Sequence, residues 1–288
     1  MDTIDEVDSE MAAPGPVHNA VRIQANGYLL ELSLDWIVLR ASENIHHILG
    51  KSHVTLIDEP LGKFVHSQAL HDLRNLFSKL SGTTGIGRAY GVRLTDDNDL
   101  VDVAFQLSEG RVLLEAVPSA GCFGECFGSV GGLIAGLAGN QGQPLLDGGA
   151  RRMRALTGYD RVTLSCGPRR AESSRGAFAG PSDPVDLPIL IADTDVDAIH
   201  LFPSNAEDTS AHAALMRMPN DADRRKLQDQ GIRSMLRIPF TADGQTCEFC
   251  CESRNAHDPS FELHAAAELF AQLFATRLEI DRLNSARA

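Results

Sequence analysis

Short runs in which apolar and polar residues alternate flank a stretch of helical periodicity in residues 17–118. The pair Asn26-Gly27 separates two strand-like runs within residues 20–32, which predicts that a strand pair opens this region. Leu70, Leu73 and Phe77 share one face of a helix predicted over residues 61–80. The remaining predicted elements are a strand at 35–40, a short helix at 42–49, and strands at 87–95, 100–108 and 111–117.

The second half of the chain repeats this mixture of helices and strands. A helix is predicted over residues 145–157 because Gly158 follows its last apolar position. The Gly/Pro/Ser-rich residues 167–187 are predicted to be a long connection. The other predicted elements are strands at 161–165 and 188–192, a polar helix at 221–230, and a hairpin of strands at 234–240 and 246–252.

The chain ends in a predicted helix that runs from about residue 260 to residue 288. Its apolar residues recur near heptad spacing, and the residues between them carry mixed charges. A long amphipathic helix of this kind is typical of self-association, so we expect a homodimer. The predicted interface residues are Leu263, Phe270, Leu273, Ile280 and Leu283.

These elements predict an α+β fold of two domains, each an antiparallel sheet flanked by helices, with a long C-terminal helix. Residues 1–16 form an acidic arm, residues 17–118 have the layout of a PAS domain, and residues 145–288 form the second domain. Residues 119–144 are rich in glycine and poor in charge, which predicts a linker. The alternative is a helix whose glycines allow a partner helix to approach closely.

Charge and composition narrow the range of functions. The 288 residues carry a net charge of -13, which disfavours nucleic acid as a partner because binding to phosphate backbones depends on clustered Lys and Arg. No apolar run is long enough to cross a bilayer, so we expect a cytoplasmic protein without membrane contact. Hydrophobic residues make up 43% of the chain, as in globular domains.

The six cysteines do not form a recognisable disulfide framework or zinc site. Cys247 and Cys250 have a spacing seen in zinc ligands, but no second Cys or His pair accompanies them. We therefore expect buried cysteines and no metal site.

Three segments, PVHNAVRIQANG (16–27), MRALTGYDRV (153–162) and LQDQGIRSML (227–236), resemble the PAS–GAF half of bacteriophytochromes. The resemblance covers nearly the whole chain. It implies a PAS domain followed by a GAF domain, a linear tetrapyrrole (biliverdin) as ligand, and a red/far-red signal passed to a downstream kinase through helices at a dimer interface.

The chain departs from this family at the positions that hold the bilin. Ala12 stands where the family has the cysteine that forms a thioether to biliverdin, and alanine has no nucleophilic sulfur. Asp223 and Ser253 stand where the resemblance implies two histidines that contact the pyrrole rings. Asp183, in the short segment GPSDP, is at best the relic of a family segment, Pro-Ala-Ser-Asp-Ile-Pro, whose aspartate backbone, as the resemblance implies, faces the pyrrole nitrogens.

The stretch between residues 162 and 191 is also shorter than in the family, so helices that wall the pocket are expected to be absent. These departures predict a non-photosensory PAS–GAF signalling and dimerisation module that has lost bilin binding and needs no cofactor. Such a module would be the sensory part of a histidine kinase or another regulator.

The alternative is a biliverdin-binding photoreceptor in which the bilin binds noncovalently or attaches to a cysteine of the GAF half. The candidate attachment residues are Cys166, Cys250 and Cys251. Glu248 and Glu252 lie near the last two, and a reactive thiolate needs an electropositive setting, so this alternative is disfavoured.

An enzyme is the third hypothesis. Its candidate groups are the alternating acids Asp193, Asp195 and Asp197 and the pair His257 and His264. Alternating acids after a strand are typical of a solvated turn, and no Ser/His/Asp, Cys/His or phosphate-loop pattern is present. We therefore expect no catalytic residues in this chain, and any kinase activity to lie in a domain outside it.

Overall fold

The computed structural model describes residues 21–80, 85–96, 99–120, 124–178, 187–204 and 209–285. The predicted arm and two of the predicted chromophore positions, Ala12 and Asp183, lie outside the described residues. The rest of the chain forms two antiparallel sheets with helices, which confirms the predicted α+β fold class.

The first sheet has seven strands and draws on both halves of the sequence. Its spatial order is β1-β10-β3-β2-β6-β5-β4. The strands are β1 (Arg22–Gln24), β2 (Tyr28–Leu32), β3 (Val38–Ser42), β4 (Gly87–Val92), β5 (Val101–Ser108), β6 (Arg111–Pro118) and β10 (Ala198–Phe202).

Strand β10 comes from the second half of the sequence and lies between two strands of the first. Ile199 pairs with Ile23 of β1, and Leu201 pairs with Ser42 of β3. The strand pair predicted around Asn26-Gly27 is therefore wrong: β1 and β2 do flank a turn, but β10 and β3 separate them. The turn chemistry is local, whereas the partner of β1 lies far along the chain.

Three helices cover one face of the first sheet. They are α1 (His46–Leu49), α2 (His53–Leu56) and α3 (Ser67–Leu80), and a 3-10 turn at Leu61–Lys63 precedes the last of them. Trp36, Leu73 and Phe105 belong to the apolar core between these helices and the sheet.

The second sheet has five strands in the order β8-β7-β12-β11-β9. These strands are β7 (Arg161–Cys166), β8 (Arg169–Ser174), β9 (Leu190–Ile191), β11 (Ser234–Ala242) and β12 (Gln245–Ser253). The helices of this half are α4 (Glu125–Ala135), α5 (Gly142–Thr157), α6 (Asp221–Asp229) and α7 (Phe261–Ser285). Helices α5 and α7 pack on one face of the sheet, which we call the inner face, through a core that includes Met153, Phe249 and Phe274. We call the opposite face the outer face.

The glycine-rich residues 119–144 contain helix α4 and the start of α5, so the linker prediction is wrong for most of this segment. Val130 is buried in the second core, and Phe127 packs at its edge. Gly128, Gly131 and Gly132 face open space, where an added Cβ would meet no atom within 4 Å. Packing of the apolar residues stabilises a helix that glycine content alone disfavours.

Candidate functional site

The outer face of the second sheet is the candidate site because α6, which carries the predicted chromophore position Asp223, packs against it. Side chains alternate between the two faces of a strand. In β12, Phe249 and Cys251 therefore point into the core, while Glu248, Cys250 and Glu252 lie on the outer face. The neighbouring strand β7 contributes Arg161 to this face.

A buried ion pair crosses the outer face. Arg161 and Glu252 lie opposite each other in β7 and β12, and the Arg161 Nε donates to Glu252 Oε2 at 2.6 Å. Their side chains are 3% and 2% exposed. The ring of Phe178 covers the Arg161 guanidinium at 4.5 Å, and the Arg254 guanidinium lies 4.3 Å from the same ring. The charges of Arg161 and Glu252 thus compensate each other within the protein.

A second ion pair lies further along the same face. Arg237 of β11 donates through Nε to Glu248 Oε1 at 2.9 Å, and its Nη1 donates to the Leu187 carbonyl at 2.9 Å. This arginine therefore ties the loop segment before β9 to the centre of the sheet.

Between α6 and the sheet, the outer face is filled by an apolar cluster. Leu227 of α6 packs with residues of β9 and β11 and of the turn between α6 and β11, and Cys250 packs at the border of the cluster. The other buried members are Leu187, Ile191, Ile232 and Met235.

Asp223, one of the predicted chromophore positions, lies in the first turn of α6. Its backbone N–H donates to Asn220 Oδ1 at 2.9 Å, and its carboxylate accepts from Asn220 Nδ2 at 2.7 Å. This reciprocal pair caps the helix. The side chain at this position therefore has a structural role at the helix N-terminus.

Ser253, the second of these positions, is buried at the end of β12. Its hydroxyl donates to Asp160 Oδ2 at 2.8 Å and accepts from the Asn255 N–H at 3.2 Å. Although burial opposes ionisation, hydrogen bonds from Ser253 and from the Arg254 N–H lower the pKa of Asp160. Ser253 thus anchors the end of the last strand to the residue that precedes β7.

The three candidate attachment cysteines do not form one site. Cys166 is bonded to Cys247 on the inner face, so it is not a free thiol, and the cysteine spacing did not predict this pairing. Burial, followed by the Glu252 carboxylate, raises the pKa of the Cys250 thiol well above its ordinary value. Burial likewise raises the pKa of the Cys251 thiol. A raised pKa leaves the thiol protonated and poorly nucleophilic.

Helix α7 separates the predicted dimer residues into two sets. Phe270 is fully buried and stacks on Phe274 under the second sheet, so its place in a dimer interface is wrong. Leu263 is half-buried at the edge of the same core. Leu273, Ile280 and Leu283 are exposed.

Leu269, which is not among the predicted interface residues, is also exposed on α7. Leu269, Leu273, Ile280 and Leu283, with Thr276 between them, follow alternating steps of four and three residues along one outward stripe. We call these five residues the α7 seam. The spacing is that of the contact positions of a coiled coil.

Four of the five groups named for the enzyme hypothesis contact other side chains of the fold, and the fifth, Asp197, is exposed. Asp193 and Asp195 pair with Arg233, whose Nη2 lies 2.6 Å from Asp193 Oδ2. His257 stacks on Tyr159 with ring centres 4.2 Å apart. Burial, aided by the neighbouring Arg88, lowers the pKa of His264 to about 3, so this imidazole is neutral.

Two buried carboxylates of the first sheet bind the segment that follows β10. Glu31 accepts hydrogen bonds from Arg40 Nε at 2.6 Å and from the Ser210 hydroxyl at 2.8 Å. Glu115 of β6 accepts the backbone N–H groups of Leu215 and Met216, each at 2.8 Å. Burial raises the pKa of Glu115 to about 7, although these two hydrogen bonds act against the rise. No sequence motif marks either carboxylate as a contact between distant segments.

Within the parts of the chain that the structure describes, no helix has both the length and the apolar character needed to cross a membrane. In the same parts, no three His, Cys, Asp or Glu side chains converge in a way that could hold a metal ion.

Comparisons with known proteins agree with this architecture. Residues 12–116 match the family model of the PAS fold. A comparison of the sequence with curated proteins found no match. The chromophore-binding domain of the unusual bacteriophytochrome RpBphP3 from R. palustris is similar in structure, with a TM-score of 0.76, 20% identity, and coverage of 94% of this chain and 98% of that one.

Two structures from Stigmatella aurantiaca are also similar. The chromophore-binding domain of its phytochrome P1 has a TM-score of 0.72 at 22% identity and covers 89% of this chain and 95% of its own. Its phytochrome photosensory core module has a TM-score of 0.75 at 22% identity, covers 97% of this chain, and is itself covered over 62% of its length. At these identities the likeness concerns the fold. This chain therefore has the PAS–GAF fold of bacteriophytochrome chromophore-binding domains.

Proposed function

We propose that this chain is a PAS–GAF signalling and dimerisation module that binds no bilin and forms the sensory part of a histidine kinase or another regulator. The observation that carries the proposal is the buried Arg161–Glu252 ion pair, which lies on the outer face of the second sheet. A linear tetrapyrrole lying on this face would meet these two side chains and the apolar cluster beside them.

Displacing these groups would be costly. Separating a buried ion pair leaves an uncompensated charge, at a cost of about 3–5 kcal/mol. A ligand site normally buries most of its ligand, which needs free volume in the fold. Here Leu227 and Met235 belong to the cluster between α6 and the sheet, and Phe178 covers the Arg161 guanidinium. The described side chains of this face therefore do not fit a tetrapyrrole.

The chemistry for covalent attachment is also poor. Ala12 has no sulfur, and Cys166 is bonded to Cys247. The raised pKa values of the Cys250 and Cys251 thiols oppose formation of the thiolate that would attack the bilin.

The proposal is tested by expressing the chain in cells that supply biliverdin and recording the absorption spectrum before and after red light. We expect a colourless protein. The chromophore-binding domain of the Stigmatella aurantiaca phytochrome, expressed in parallel, controls for the biliverdin supply. A red-absorbing band that changes on illumination would refute the proposal.

An Ala12→Cys variant separates two reasons for a colourless protein. If only the linking sulfur were missing, restoring it should produce a coloured product. We expect the variant to stay colourless because the outer face is filled. A variant that carries covalently bound, coloured bilin would refute the proposal, because it would show that the outer face has room for a tetrapyrrole.

A biliverdin-binding photoreceptor remains the second candidate, favoured by the similarity to chromophore-binding domains over 94% of this chain. It requires the outer face to rearrange around the ligand. The same spectra distinguish the two candidates.

Self-association through α7 would give the module its output. The α7 seam exposes apolar side chains, with Leu273 at 40% and Ile280 at 42%, in a row whose spacing suits a second copy of the same helix. A parallel pair of such helices would set the spacing of whatever follows the chain and could pass on a shift in helix packing.

Changing Leu273 and Ile280 together to Glu should convert dimers to monomers in light scattering because it places charges in the seam. Leu107→Glu is the control, since it makes the same change at an exposed leucine of β5 that does not belong to the α7 seam. A dimer that survives the double substitution would reject the seam as the contact.

A further inference from the structure

The cysteine pair Cys166–Cys247 lies directly across two strands of the second sheet. Cys166 is the last residue of β7 and Cys247 the third of β12, and the antiparallel register places them opposite each other. Their Cα atoms are 4.2 Å apart, and 81 residues separate them in sequence. This is the close approach of a non-hydrogen-bonded pair in an antiparallel ladder. The register brings the two sulfurs together whether or not they are bonded.

Among the five cysteines that the structure describes, this is the one disulfide bond. Cys126, Cys250 and Cys251 are free, and two of these lie on β12 close to Cys247. Small secreted domains that need disulfides to fold are dense in them, whereas the few disulfides of cytosolic proteins are usually transient and are catalytic or redox-sensing. The β7–β12 ladder also continues from Cys247 to Glu252, so the sheet does not depend on the bond for its register.

The pair lies at the end of the sheet, beside two exposed turns. Both side chains are buried, at 0% for Cys166 and 1% for Cys247. However, the residues next to the two cysteines in sequence are exposed. These are Gly167 after Cys166, and Gln245 and Thr246 before Cys247. Fraying of these turns would expose the two sulfurs by opening only the end of the core to which they belong, because the ends of elements open at low free energy.

The same end of the sheet contacts the C-terminal half of α7. Asp243, in the turn between β11 and β12, pairs with Arg282 at 2.8 Å. Phe240, three residues earlier, packs edge-on against Phe274. Greater mobility of the β11–β12 hairpin would therefore weaken contacts with the part of α7 that carries Ile280 and Leu283.

We propose that Cys166 and Cys247 form a reversible thiol–disulfide site whose redox partner is a low-molecular-weight thiol of the glutathione class. A glutathione thiolate attacks one sulfur of the bond, forms a mixed disulfide and releases the other cysteine. A second glutathione thiolate then attacks the mixed disulfide and releases the first cysteine. Two electrons and two protons pass from two glutathione molecules to the pair, and the other product is glutathione disulfide. The reverse sequence oxidises the pair.

The test is a redox titration of the folded, full-length chain in glutathione buffers that range from fully reduced to fully oxidised. After an acid quench, free thiols are counted by the mass that a maleimide-polyethylene glycol adds to each. We expect one reversible two-electron transition that changes the count by two thiols. The transition should disappear in Cys166→Ser and persist in Cys250→Ser, the matched control on the same strand.

Two outcomes would overturn the proposal. A pair that stays bonded in excess reduced glutathione until the chain is unfolded would be a structural disulfide. A pair that stays reduced in oxidised glutathione would not be a redox site. Both differ from failure of the proposed function, which is decided by the biliverdin spectra.

Hydrogen exchange then tests the connection to α7. Reduction should speed amide exchange in the β11–β12 turn and in the last turns of α7, and the double variant Cys166→Ser/Cys247→Ser should behave like the reduced protein. Equal exchange in the oxidised and reduced proteins would refute the link to this helix.

Discussion

Glu115 makes the stability of this fold depend on pH near neutrality. Its carboxylate is buried in the first sheet, and its two oxygens accept the Leu215 and Met216 N–H groups. Burial raises its pKa to about 7 in the folded chain, whereas in the unfolded chain the carboxyl is solvated and titrates in its ordinary acidic range. Between these two values the folded state binds a proton that the unfolded state has released.

The sign and size of the effect follow from this difference. Because the folded chain binds more protons than the unfolded chain, the free energy of unfolding falls as the pH rises through the window and levels off above the folded pKa. Proton linkage between about pH 5 and about pH 8 gives a loss of about 2.5 kcal/mol from this one group. Glu115→Gln, whose side chain stays neutral, should lack this loss.

The assay is urea denaturation of both proteins across this pH range. Other titrating groups are common to both, so they cancel in the difference between the two free energies. We expect the Gln variant to gain about 2.5 kcal/mol relative to the parent between the acidic and the basic end. Glu109→Gln controls for the lost charge. It removes an exposed carboxylate that accepts a hydrogen bond from Thr209, which, like Leu215 and Met216, lies in the segment after β10. A difference between parent and Glu115→Gln that is constant with pH would refute the reasoning.

Further substitutions test contacts around the second sheet. Glu262→Ala removes the carboxylate that accepts two N–H groups at the start of α4, so it should lower the free energy of unfolding by about 1 kcal/mol and speed hydrogen exchange mainly in α4. Arg161→Met should lower the free energy of unfolding, measured by urea denaturation, by about 3–5 kcal/mol because the Glu252 carboxylate stays buried after the guanidinium is removed. Adding Glu252→Leu should recover most of this loss, and a double variant that recovers none would contradict this account. Gly149→Ala brings a methyl group 2.5 Å from the Phe274 ring and should lower the free energy of unfolding by about 1–3 kcal/mol. Gly128→Ala, on the open side of α4, should instead raise the free energy of unfolding by about 0.5–1 kcal/mol. Equal changes in the unfolding temperatures of the two variants would contradict the packing.

Elements with a strong local period were predictable from the sequence. Helix α3, the β11–β12 hairpin and α7 each follow a clear apolar pattern, and the structure contains all three. Strand β8 was missed because its sequence, RRAESS, has one buried apolar residue, Ala171, and otherwise resembles a loop. Strand β10 was missed because its place in the first sheet depends on partners that are far away in sequence.

The same limit applies to the site. The sequence marked Phe270 and Leu273 as members of one apolar row, but α7 packs a broad face on the sheet and leaves only a narrow stripe outside, so the two residues point in different directions. Pairing of Cys166 with Cys247 depends on strand register, which composition and spacing do not reveal. Asp223 and Ser253 could be identified as departures from a family pattern, whereas their capping and anchoring hydrogen bonds required the structure.

The position of β10 determines how this chain can be divided. A fragment ending in the glycine-rich residues 119–144 would keep β1 and β3 but lose the strand that hydrogen-bonds to both. Strand β1 would have no neighbour in the sheet, and β3 would present an open edge of unpaired backbone groups, a template for aggregation. The boundary that is easiest to draw in the sequence is therefore a poor place to cut, and fusion or truncation studies should keep both halves in one polypeptide.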